Sequence, residues 1–80
     1  MNDQRVLEEH LAQAQRSVAQ GERHIEEQEQ RVAKLTRDGH DISQAEDLLE
    51  VFRETQVQHV AHRDLILREM NGPLFGRLKQ

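Results

Sequence analysis

Cysteine is absent from the 80 residues, which removes a disulfide framework, a zinc ribbon and thiol catalysis together. Its absence also leaves the compartment unreadable from redox chemistry. Tryptophan and tyrosine are missing too, and the aromatics are Phe52 and Phe75 alone. No apolar run approaches the ~18 residues of a membrane span, and the polar start Met1-Asn2-Asp3-Gln4 does not read as a signal peptide. A cytoplasmic protein with no membrane partner is expected. Nor does one sign of charge dominate anywhere. Residues 1–40 carry six basic and eight acidic side chains, and residues 41–80 carry five and seven. With no basic block to release counterions from phosphate, nucleic acid is not an expected partner; a weak DNA-associated dimer ranks third among the readings.

Catalytic signatures are equally scarce. There is no G-x-x-x-x-G-K-S/T, no G-x-G-x-x-G and no G-x-S-x-G. Ser17 and Ser43 are the only serines, and neither has an evident base and orienter. The expectation is a protein without enzymatic activity, catalytic residue or cofactor.

What is present is helix. Asp3 to Arg37 holds no proline and one glycine in a run rich in Glu, Gln, Arg, Ala and Leu, all strong helix formers except glycine. Asp3 or Asn2 suits the N-cap, and Asp38-Gly39 suits a C-terminus with glycine in the left-handed position. Ser43-Gln44-Ala45-Glu46 fits a capping box, with Asp41 as the alternative cap. Asn71-Gly72-Pro73 ends the second helix. The predicted layout is one domain over 1–80: helix 1 about 3–38, turn 39–42, helix 2 about 43–71, and an amphipathic tail 73–80. A connection this short makes the helices antiparallel neighbours, so the fold class is all-α, a two-helix, coiled-coil-like hairpin.

Helix 1 keeps a 3.5-residue hydrophobic period through Leu7, Leu11, Ala14, Val18, Gly21, Ile25, Gln28, Val32 and Leu35. A mid-helix glycine costs roughly 1 kcal/mol relative to alanine, so Gly21 points to a packing need. Helix 2 has one seam at Ala45, Leu49, Phe52, Gln56, His59, Arg63, Ile66 and Met70, and a second at Leu48, Val51, Thr55, Gln58, His62, Leu65 and Glu69. Val57, Val60, Ala61 and Leu67 widen it further. A hairpin needs one stripe on each helix, and this helix offers nearly two.

The intrachain core is therefore expected from Leu11, Val18, Ile25, Val32, Leu49, Phe52, Ile66 and Met70. Leu48, Val51 and Leu65 are left for an intermolecular seam. A single small core rarely supplies more than ~3–5 kcal/mol, so two hairpins are expected to share a four-helix bundle as a homodimer, with docking on another protein as the rival.

Folding about residue 40 would place Gly21 near His59 and Val60, Ile25 near Gln56, and Val18 near Arg63. Gln28, Gln56, His59 and Arg63 would then form a polar layer beside a glycine able to admit an imidazole. Such a layer commonly sets register; a sharper reading makes it a pH sensor, because charging a buried His59 is unfavourable and acid would weaken the dimer. His59-x-x-His62, with His24 from helix 1, is a weak metal candidate: no third ligand is set by spacing and the zincin pattern is absent. Glu-x-x-His at core positions, needed for a di-iron bundle, is missing as well. Asp38-Gly39-His40-Asp41 lacks EF-hand spacing and reads as cap plus turn. In the tail, Leu74, Phe75 and Leu78 suit either a cap on the open end of the bundle or a docking peptide.

Three phrases occur together: Gly21-Glu22-Arg23-His24-Ile25, Arg37-Asp38-Gly39-His40-Asp41, and Thr55-Gln56 followed by His59 and Arg63-Asp64. In these the chain resembles a group of short, uncharacterised bacterial helical-hairpin proteins over nearly its whole length. The resemblance implies a bacterial, cytoplasmic protein and transfers no activity, ligand or site. The function expected is a small protein–protein interaction module, a homodimeric adaptor or regulator, with a histidine-dependent metal- or pH-responsive bundle as the alternative.

Overall fold

The computed structural model describes residues 3–71, and the tail containing Leu74, Phe75 and Leu78 lies outside them. Two helices make up the architecture, α1 (Asp3–Arg37) and α2 (Ser43–Asn71). They pack side by side as an antiparallel hairpin in a rod of 62 × 18 × 14 Å. Lys34 and Arg37 occupy the last turn of α1, Glu46 the first turn of α2 and Arg68 its last, each placed favourably toward the helix dipole.

The turn is built from one glycine and one aspartate. Gly39 has φ +76°, its N–H donates to the Thr36 carbonyl at 3.1 Å, and the His40 N–H donates to the Leu35 carbonyl at 2.9 Å. These two bonds are a Schellman motif, which satisfies carbonyls that the end of α1 would otherwise leave free. A Cβ at Gly39 would meet nothing within 4 Å, so the need for glycine there is conformational and not steric. Gly39→Ala is expected to cost about 1 kcal/mol and to lower the melting temperature by about 5 °C, measured by circular dichroism.

At the start of α2 the capping box does not form. The Glu46 N–H donates to the Ile42 carbonyl at 2.8 Å, and the Ser43 hydroxyl turns back to donate to Asp41 Oδ1 at 2.7 Å. Asp41 Oδ1 also accepts the Ser43 N–H at 2.9 Å, so the alternative cap is the one used. An aspartate two residues ahead of a free N–H closes an Asx turn, which competes with the serine's own reach to the third turn residue. The two bonds from Ser43 hold the Asp41 carboxyl below its ordinary pKa. Because the folded value is depressed, the stabilisation is present above the unfolded pKa and is lost as pH falls through the folded one. Following the Asp41 carboxyl by NMR should therefore give a titration midpoint below that of an unfolded peptide, and Asp41→Ala should flatten the acid limb of stability.

The core is thin. Among the described residues, Ala14, Val18, Leu49 and Ile66 are buried along with one polar residue, Gln28, and none is fully sealed from water. Leu7, Leu11, Ile25, Val32 and Leu35 on α1, and Phe52 and Met70 on α2, are half-buried along the same seam.

Candidate interaction surface

Across the seam, side-chain amides of one helix reach the backbone of the other. Gln28 Nε2 donates to the Ala45 carbonyl at 2.9 Å, and Gln56 Nε2 donates to the Val18 carbonyl at 2.9 Å. Gln56 also fills the space that Gly21 leaves. A Cβ on Gly21 would fall onto Gln56 Oε1 and lie 2.7 Å from its Cδ. That oxygen is buried and has no hydrogen-bond donor. The expected occupant of the glycine notch, an imidazole, is therefore replaced by a carboxamide.

The register is shifted by one to two turns from a fold about residue 40. Gly21 meets Gln56 in place of His59 and Val60, and the Val18 carbonyl meets Gln56 seven residues before Arg63. The cause is the turn. Residues 40–42 are not helical, and such chain advances up to ~3.3 Å per residue against 1.5 Å in a helix. Three residues thus carry the chain back along α1 by roughly the rise of a further helical turn before α2 begins. Gln28, Gln56, His59 and Arg63 consequently do not share one layer. Gln28 lies level with the first turn of α2, Gln56 is half-buried over Gly21, His59 is half-buried in a cleft, and Arg63 bonds its neighbour Asp64 at 3.1 Å.

Four of the five histidines gather on one face, and His40 stands apart at the turn. His24 and His59 line a cleft of about 100 Å³ with Ser17, Gln20, Phe52 and Thr55. The His24 ring stands 5.7 Å from that of Phe52, tilted by 36°. His10 and His62 line an adjoining cleft that shares Ser17. Neither cleft is lined by a carboxylate. His24 and His59 are thus brought together and His62 is set apart with His10; among the described residues, no group of three His, Cys, Asp or Glu could hold a metal ion.

The same face is bordered by apolar side chains left uncovered. Leu48, Val51 and Leu65 are 44%, 51% and 47% exposed, although leucine and valine at helical spacing are normally covered. Thr55 and His62, which continue their row, line the two histidine clefts. Val57 is also exposed, on another flank of α2 beside Glu46, Glu50 and Arg53. On α1 the one large exposed apolar residue among those described is Val6. Surface ion pairs are sparse: Arg53 joins Glu29 across the hairpin at 3.1 Å and Arg5 joins Glu9 at 3.6 Å, both water-exposed and worth little. No helix among the described residues is long and apolar enough to cross a membrane.

Compared with protein-family profiles, curated proteins and solved structures, the chain matches none.

Proposed function

We propose that this protein is a non-enzymatic interaction module of the bacterial cytoplasm, an adaptor or regulator that works as a homodimer. The observation that carries the reading is the mismatch between the two helices. Almost all the large apolar side chains of α1 go into the hairpin seam, whereas α2 leaves Leu48, Val51 and Leu65 in water. Exposed leucines in a row, above a core with so few buried side chains, are most economically covered by a second copy of the same row. Sedimentation equilibrium of the full chain tests it: a mass twice that of the 9.4 kDa chain is expected at micromolar concentration. A cooperatively melting monomer under those conditions overturns it.

A pH-responsive form of the same assembly is favoured by the clefts. His10, His59 and His62 line the face that carries the apolar row in clefts without a carboxylate, whereas His24 also lines a cleft with Glu27 and Asp38. Covering that face with a second copy would make protonation of those imidazoles unfavourable. The dimer dissociation constant is therefore expected to rise by about tenfold between pH 8 and pH 5, a change of about 1.4 kcal/mol in the assembly. An unchanged constant over this range removes the pH reading and leaves the interaction module intact.

A further inference from the structure

Resting on the reading that α2 covers itself with a second copy, we propose that the two α2 helices lie antiparallel, with the twofold axis passing between Thr55 and Gln58. The outward row is Leu48, Val51, Thr55, Gln58, His62 and Leu65, whose spacing is the same read in either direction. Reversing one helix about the middle of the row brings Leu48 against Leu65 of the second copy at both ends. Val51 then lies beside His62 of the other chain, and Thr55 meets Gln58, a hydroxyl and an amide able to bond each other. A C2 contact of this kind is self-complementary, each pair occurring twice.

Charge selects this orientation over the parallel one. The first half of α2 carries Glu46, Asp47, Glu50 and Glu54 against Arg53, while the second half balances Arg63 and Arg68 against Asp64 and Glu69. Parallel docking would stack the two acidic halves on each other. Antiparallel docking separates them and brings Asp47 within two residues of the level of Arg68 of the second copy, on the same flank of the row, again twice. Like charges across a helix pair disfavour the parallel form and opposite ones set the orientation.

The geometry also closes. At 100° per residue the outward row sits about a quarter turn round α2 from the hairpin seam, so two hairpins docked along it make a four-helix bundle and not a flat row. The row from Leu48 to Leu65 runs about 26 Å along α2, so the contact follows the middle of a rod 62 Å long. In that bundle the His24–His59 cleft of each hairpin, bordered by Thr55, turns inward toward its counterpart.

Disulfide trapping tests the orientation, since the chain has no cysteine of its own. Val51→Cys with His62→Cys should give a covalent dimer of doubled mass under mild oxidation, while Val51→Cys or His62→Cys alone should not. Within one helix the two positions are about 16 Å apart, far beyond the ~6 Å Cα separation of a disulfide, so the bond can form only between copies. Cross-linking by the single Val51→Cys variant would overturn the antiparallel orientation and leave self-association standing. No cross-link in any variant, with sedimentation still showing a dimer, would place the contact elsewhere and overturn the proposal. No cross-link with a monomer in sedimentation would overturn the underlying reading of homodimerisation.

Discussion

Leu48→Glu combined with Leu65→Glu is expected to convert the dimer to monomer at every concentration accessible to sedimentation. Each leucine is about half exposed in the hairpin, so covering the remainder is worth roughly 1 kcal/mol of the ~2 kcal/mol for a whole side chain. Four leucines meet in the dimer, and losing about 4 kcal/mol raises a dissociation constant about a thousandfold. Glutamate adds the cost of bringing carboxylates into the contact and sets like charges opposite each other, position 48 against position 65 of the second copy. Neither leucine lies in the seam between α1 and α2, so the hairpin contacts themselves remain. Loss of helical signal together with loss of mass would show that the thin core needs the second copy in order to fold. Full helicity in a dimer of unchanged affinity would remove Leu48 and Leu65 from the interface.

How far this reading was available from residues alone differs between its parts. The helices and their direction follow from Gly39 and the 3.5-residue run from Leu7 to Leu35, because each signal is local and each agrees with the other. The seam follows as well: every residue from Leu7 to Leu35 on that run is buried or half-buried, and every one on the row from Leu48 to Glu69 is exposed. Contacts between helices were legible only to one or two turns. A fold point counts residues, whereas the register depends on distance along the axis, and residues 40–42 cover that distance faster than helix does. For the same reason the gathering of His10, His24, His59 and His62 on one face could not be read from spacing within either helix. Asp41 shows a different limit. Serine and aspartate both offer oxygen to the start of α2, but the carboxylate can only accept, and it takes both the Ser43 N–H and the Ser43 hydroxyl that would otherwise face Glu46.

Gly21→Ala should reverse its effect on stability according to what stands at position 56. In an open helix the change gains about 1 kcal/mol, because alanine is the better helix former. Here the new methyl would occupy the place of Gln56 Oε1, so the carboxamide has to leave its notch and give up its bond to the Val18 carbonyl. That bond is worth about 1 kcal/mol, and stranding a half-buried amide without a partner adds about 1–3 kcal/mol. The loss outweighs the gain in propensity, and Gly21→Ala alone is expected to destabilise by about 1–3 kcal/mol. With Gln56→Ala in place the notch is empty and the polar demand is gone. The same glycine replacement then fills space and keeps its propensity, and is expected to stabilise by about 1 kcal/mol. Urea denaturation of the four chains at one protein concentration measures the coupling as a double-mutant cycle, expected at about 2–4 kcal/mol. Additive effects would mean that Gln56 can vacate the glycine without cost, and that neither the notch nor the amide holds the two helices in register.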